Sequence, residues 1–523
     1  MSTAGDLLRA NTTVALGTMM SRLTGFARYV LLVALVQPAL ADAYNTANNI
    51  PNQIYELALG GILTASLVPL FVEYADSKDD DATRAIVGTS LIGMLLLTVV
   101  AVVVAPLIVW VYTLRTPSEL DVAQFRGVTT LFAVLCLPQI LFYGLTFLAT
   151  ALLNARRNYF AAAWAPVVNN VIVILGLSTL GSKLESERTL EAASRNNTVV
   201  ILIGLATTLG VVVMALALLP ALRQARVPIS LRFNRRHPAV RRLLKLSTWT
   251  IGYTVANQVA LALVTILARP GSSGVTVYQL GYLIVQLPIG LLAMSVITTF
   301  GPELSRSRLA HDKRKLVKNF RLGLITIVGL LLPAGAALVA LGRPLVSVVL
   351  ERGFFTGESP VTLASTVAGF GVGLFALGGY LFALRGFYAH NDTRTPFAIN
   401  LVENVLNVVL AIALVPRFGV AGLAWAFSIA YIVALILAVA SFNNKLNGGL
   451  ELPLLAAGFG RLVLSTIVCG EVMWLGSGLV GSDTGAGAWL RLIVVGVLGI
   501  AAYIGTLTVL QAPEVAQVRS FGR

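Results

Sequence analysis

Charge is what this chain most lacks: 12% of its 523 residues are Asp, Glu, Lys or Arg, against roughly 25% in soluble globular domains. With 57% hydrophobic residues, too few polar side chains remain to cover the outside of any core, so a soluble fold is excluded and lipid must be the solvent. Cysteine is almost absent. Cys136 and Cys469 both sit inside apolar runs and read as small core residues, which excludes a disulfide framework or a thiolate metal site. The three histidines, His237, His311 and His390, fall between apolar runs, and no HExxH, GxSxG, GxxxxGK[ST] or DDxxD pattern occurs. These absences count against a metalloprotease, a serine hydrolase, an ATP-driven pump and a metal-dependent enzyme acting on polyprenyl phosphates. The start, MSTAGDLLRANTTV, lacks a basic n-region and a small-residue cleavage site, so the first apolar run is expected to be retained. The acidic DSKDDD run at 76–81 reads as a solvated loop beside a helix end.

What is present in abundance is long apolar runs. Stretches of about 20 apolar residues can cross a bilayer core of about 30 Å. They fall at 12–36, 43–73, 86–113, 128–153, 161–180, 198–220, 246–267, 276–302, 322–341, 361–384, 397–416, 420–441, 459–477 and 487–510. The expected fold is therefore an all-α polytopic membrane protein of about 14 transmembrane helices. The second span contains Pro51 and the pair Gly60-Gly61, which predicts a kinked or broken helix of the kind that borders cavities in transporters.

Lys and Arg set the expected orientation. The clusters at 155–157, 222–245 and 305–321 all fall in loops on one side, and short cytoplasmic loops carry the Lys/Arg excess, so both termini are expected in the cytoplasm. The formal net charge of +15 reads as this bias plus attraction to anionic membrane lipids, and no nucleic-acid partner is expected. The chain also repeats itself weakly. An offset of 234 matches Ala155 with Ala389, Asn170 with Asn404, Tyr44 with Tyr278 and Thr64 with Thr298. Six spans separate these positions, so direction is preserved and the expectation is two parallel six-helix lobes with substrate handled between them. The expected division is an N-terminal lobe at 1–221, a basic linker at 222–245, a C-terminal lobe at 246–445, and two extra helices with a short tail at 446–523.

Charge inside the membrane needs a reason, since a central Arg or Asp costs about 2.5–3.5 kcal/mol on insertion scales. SRLTGFAR puts Arg22 and Arg28 well inside the first span. Two guanidinium forks beside a water-filled cavity suit a pyrophosphate, which each can grip bidentately; the alternative is that they snorkel or pair structurally with Asp42 or Glu56. In the second span Asn45, Asn49, Asn52 and Glu56 share a helical face, as cavity lining or as interhelical glue. In the eleventh span Asn400, Glu403, Asn404 and Asn407 form a second polar stripe, either a cation or proton site or a carboxylic acid kept neutral by burial. Glu471 in the thirteenth span has the same ambiguity without polar company.

Across SRLTGFAR (21–28), DAYNTANNIPNQIYELALGGILTASLVP (42–69), LLNARRNYFAAAWAP (152–166), QLPIGLLAMSVITTFGPELSR (286–306) and RGFYAHNDTRTP (385–396), the chain resembles the MurJ/MviN lipid II flippases of the multidrug/oligosaccharidyl-lipid/polysaccharide exporter superfamily. The wording resembles that of actinobacterial members. The resemblance implies fourteen helices, no cofactor, a bacterial inner-membrane location, and export of the undecaprenyl-pyrophosphate-linked peptidoglycan precursor by alternating access. A coupling cation or the membrane potential would supply the drive, and membrane lipids and cell-wall synthesis proteins would be partners. It further implies that Arg22, Arg28, Asp42 and Asn52 matter for transport, and that the last two helices form a groove for the lipid tail. Two departures stand out: Tyr55 stands where many relatives have Arg, and Tyr282-Leu283 where they have an Asp-Arg pair, leaving more of the pyrophosphate to Arg22 and Arg28. A flippase for another polyprenyl-linked glycan and a non-transporting cell-wall scaffold are the alternatives. Intramembrane arginines are a costly feature for a scaffold.

Overall fold

The computed structural model describes residues 4–511 except 78, 157, 183–184, 226–233, 235, 247 and 352. Among the described residues every regular element is a helix, as expected of a chain whose backbone must satisfy its own hydrogen bonds in lipid. Ten of these helices are long and apolar enough to cross a membrane. The fourteen expected apolar stretches all lie on helical segments, some interrupted by a turn, and one long helix carries two of them.

The chain packs as two units, Met1–Thr276 and Val277–Arg523. The first contains α1 (Ala4–Leu35), α2 (Pro38–Tyr55), α3 (Gly61–Asp76), α4 (Asp80–Val103), α5 (Ala105–Tyr112), α6 (Val122–Cys136) and α7 (Gln139–Ala155). It continues through α8 (Phe160–Ser178), α9 (Leu190–Arg195), α10 (Thr198–Leu216), α11 (Leu219–Gln224), α12 (Pro238–Leu246) and α13 (Thr248–Leu267). α1 lies close against α8 because Gly17 leaves room: a Cβ there would stand 2.9 Å from the Ala163 carbonyl oxygen. The short basic helix α12 is tied to the end of α3 by a bidentate pair, with Arg242 donating to both carboxylate oxygens of Glu73 at 2.6 and 3.0 Å.

The second unit holds α14 (Gly274–Pro288), whose first turn belongs to the first unit, α15 (Met294–Leu309), α16 (Lys313–Ala340) and α17 (Gly342–Leu350). α18 (Glu358–Ala389), α19 (Arg394–Lys445), α20 (Leu452–Leu479) and α21 (Gly485–Val509) complete it. α16 and α18 approach so closely that a Cβ on Gly335 would lie 2.4 Å from the Gly371 carbonyl oxygen. Lower in the same bundle Phe320 stacks against Phe442 at 4.5 Å and Phe382 at 5.5 Å. The turn between α18 and α19 is held by Asp392, which accepts from the amides of Arg394 and Thr395 and from Lys445. Burial alone would raise that carboxyl, but Lys445 and the Thr395 amide and hydroxyl outweigh it and push it down to about 2.

The expected break in the second span is a π-helical turn at Glu56–Gly60, joining α2 to α3 five residues beyond Pro51. A second π-turn at Ile289–Ala293 joins α14 to α15 directly after Pro288. The two begin 289 − 56 = 233 residues apart, one residue from the offset of the residue matches. The repeat is thus carried by a backbone irregularity more clearly than by side-chain identities.

Candidate functional site

In the first unit the site grows from α1. Asn170 on α8 donates to the Ser21 carbonyl at 3.0 Å and to Thr24 Oγ1 at 3.1 Å, so α1 is pinned between its two arginines. Gly25, one residue further on, faces that carboxamide, and a Cβ there would stand 3.4 Å from Asn170 Nδ2. Arg22 and Arg28 are each partly exposed. The Arg28 guanidinium lies 5.3 Å from the centre of the Tyr29 ring and within electrostatic reach of the Tyr44 and Tyr143 phenols. Those phenols are themselves held. Tyr44 shares a 3.0 Å hydrogen bond with Thr207 and packs edge-on against Phe132, and Tyr143 lies 5.7 Å from Tyr55. Among the described residues no carboxylate forms an ion pair with Arg28, so neither Asp42 nor Glu56 serves as its structural partner.

Asp42 is instead completely buried and its two oxygens are committed. One accepts from the Gly271 amide at 2.9 Å, the other from the Thr276 amide at 2.8 Å and hydroxyl at 2.6 Å. The Thr276 hydroxyl in turn accepts from Asn45 Nδ2 at 2.9 Å. Asp42 and Asn45 therefore fix a loop whose residues Arg269, Gly271 and Ser273 all have positive φ. The four-residue stripe on α2 divides accordingly: Asn45 is buried in this network, Asn49 and Glu56 are half-buried, and Asn52 is exposed. Glu56 is also the first residue of the π-turn.

In the second unit Asn400, Glu403, Asn404 and Asn407 are all buried on α19. Asn400 Nδ2 stands 3.5 Å from Glu403 Oε2, and Asn404 donates to the Asn400 carbonyl at 2.9 Å. The Tyr278 phenol lies within electrostatic reach of Glu403, with its ring tilted 5.3 Å from Phe370. One carboxyl and three carboxamides facing inward from one helix can share a proton or ligate a hard cation through oxygen. Tyr282 packs between Phe370 and Phe427, so the position of the missing Asp-Arg pair is filled by aromatic contact. The same unit also carries an apolar groove of about 660 Å³, walled by Leu330, Pro333 and Leu338 of α16, Leu462 and Met473 of α20, and Ile500 of α21.

Several residues escaped the sequence reading. Asn170 was visible only as a repeat match, although an Asn in an apolar helix was signal enough. Gln139 is fully buried and donates to Thr208 at 3.1 Å; it sits in the apolar run LCLPQILF, where its polarity could have been noticed. Nothing in the sequence marks Thr276 as a partner of Asp42.

The model of the family described as lipid II flippase MurJ matches residues 33–495. The chain belongs to this family. A probable lipid II flippase MurJ of Rhizobium meliloti (strain 1021) is 30% identical over 90% of this chain and 86% of its own length. A lipid II flippase MurJ of Burkholderia cenocepacia is 28% identical over 80% of each. Among solved structures, a lipid II flippase MurJ in an inward closed conformation superposes with a TM-score of 0.76 at 20% identity, covering 95% of this chain and 98% of that one. An inward-facing multidrug resistance MATE family transporter of the MOP superfamily gives 0.67 at 18% identity, covering 83% and 98%. The fold is thus MurJ-like, and the chain is a multi-pass membrane protein.

Proposed function

We propose that this chain carries lipid II from the cytoplasmic to the outer leaflet of the bacterial inner membrane by alternating access, as a transporter without covalent chemistry. The observation that carries the reading is Arg28: a guanidinium within an apolar helix, near three phenols and with no carboxylate paired to it among the described residues. Such a charge is expensive to keep in lipid unless an anion visits it. Arg22 and Arg28 take the pyrophosphate, and Asn49, Asn52 and Glu56 line its path. Asp42 and Asn45 act as positioning residues through the 271–276 segment. The lobes at 1–221 and 246–445 move as the alternating halves, joined by the basic linker at 222–245, with 446–523 outside the repeat. Both termini face the cytoplasm, as the Lys/Arg distribution supports. The Asn400–Asn407 cluster binds the proton or cation that resets the carrier. The polyprenyl tail lies along the α16, α20 and α21 groove. Enzymes of cell-wall synthesis are the partners that consume the exported lipid. Depleting the protein tests the substrate: lipid II should accumulate in the cytoplasmic leaflet, and accumulation of a different polyprenyl-linked glycan would redirect the assignment.

A further inference from the structure

At one end of the apolar groove the first turns of α16 and α20 enclose a second cavity, of about 770 Å³, to which the reading above gives no task. Lys313, Arg314, Lys318, Arg321 and Arg461 line it, with Glu451 the one acid. Five cations against one anion leave a formal +4. Arg321 is the residue paired with Glu451, and the Lys313, Arg314 and Lys318 side chains are exposed. Ile325 belongs to the wall of both this cavity and the groove, and Arg461 of the cavity adjoins Leu462 of the groove, so a basic head chamber opens into an apolar channel.

Two features select the ligand. Crowded like charges repel unless an anion of matching valence sits among them, and a pyrophosphate matches +4 better than a phosphodiester does. Along α16 and the Leu341 that caps it, the groove runs from Ile325 to Leu341, 341 − 325 = 16 residues. At 1.5 Å per residue that is about 24 Å, whereas one leaflet of the hydrocarbon core is about 15 Å deep. Glycerophospholipid chains end near the midplane; a polyisoprenyl chain does not. We propose that this cavity is a docking site for the pyrophosphate of a polyprenyl-pyrophosphate lipid whose chain occupies the groove. It is a loading site made wholly from the second unit, separate in its residues from Arg22 and Arg28. The choice of lipid class rests on the proposed function; the existence of a second anion site does not.

The test uses the full chain in phosphatidylcholine nanodiscs with undecaprenyl pyrophosphate as the probe. An Arg22→Ala/Arg28→Ala background removes the first site and should still bind the probe. Adding Lys313→Gln, Arg314→Gln and Lys318→Gln should weaken that binding roughly 100-fold, since each interfacial cation contributes about fivefold. These side chains are exposed, so an unchanged thermal midpoint and elution profile should accompany the loss. With Arg22 and Arg28 intact, the same three substitutions should raise the lipid II concentration for half-maximal flipping and leave the maximal rate alone. Undiminished probe binding by the triple glutamine variant would overturn the site. Displacement of the probe by 30% phosphatidylglycerol (about a third of the bilayer) would assign the cavity to bulk acidic lipid and overturn the ligand. Equal affinity for inorganic pyrophosphate would overturn the part played by the groove. Failure of the arginine mechanism reads differently: the Arg22→Ala/Arg28→Ala chain would itself still flip lipid II.

Discussion

A single arginine illustrates how side chains share the burden of a membrane charge. Arg28 lies beside the Tyr29 ring and near the Tyr44 and Tyr143 phenols, which, unlike carboxylates, offer a polar and polarisable surround without neutralising a cation. It was legible from sequence because a cation in an apolar run has few innocent explanations. Asp42 was legible as an unusual acid in an apolar run, whereas its hydrogen-bond partners were not. Its partners are 229 and 234 residues away, and a fully buried carboxylate whose two oxygens already accept from two amides and a hydroxyl is committed to that loop. Glu403 lies between these cases, since its stripe of asparagines was visible at helical spacing while the approach of Tyr278 to it was not. If Glu403 exchanges a proton or cation during resetting, Glu403→Gln should slow turnover by about an order of magnitude and leave substrate affinity nearly unchanged. Wild-type turnover in that variant would return Glu403 to a packing role.

At the scale of elements, hydropathy located the helices and could not see how they are joined. The expected spans at 397–416 and 420–441 belong to one element, α19, parted only at Gly419, where φ is 56° and ψ is −138°. That region is accessible to glycine and costs other residues about 1–3 kcal/mol. A Cβ at Gly419 would meet nothing within 4 Å, so the penalty for Gly419→Ala is purely torsional. The variant should lose about 1–3 kcal/mol, seen as a lower thermal midpoint, and Gly419→Asn should fare no better because ψ lies outside the left-handed helical well. An unchanged midpoint in both would mean that the kink straightens freely. The π-turns were half legible: Pro51 and Gly60-Gly61 announced the first, whereas the second, directly after Pro288, was not expected. A π-turn depends on which carbonyl each amide finds, and composition does not record that choice.

For the whole molecule, the low charge content decided the solvent and the Lys/Arg asymmetry gives a direction. Single cysteines placed at 222–245 and 305–321 should be shielded from impermeant thiol reagents in intact cells, while one at 182–197 should label; the opposite pattern would reverse the orientation. The packing units divide at Thr276, a boundary no run of residues announces, because it is set by which helices α13 and the 271–276 segment touch rather than by their hydropathy. The central claim is that Arg22 and Arg28 hold a pyrophosphate during transport, and lipid II flipping measured beside membrane abundance tests it most directly. Arg→Ala at either position should abolish flipping at normal abundance, and Arg→Lys should restore it only in part, since lysine keeps the charge and loses the planar fork. A buried structural ion pair would behave otherwise, losing about 3–5 kcal/mol and depleting the folded protein. Two stable alanine variants that flip lipid II at the wild-type rate would contradict the mechanism.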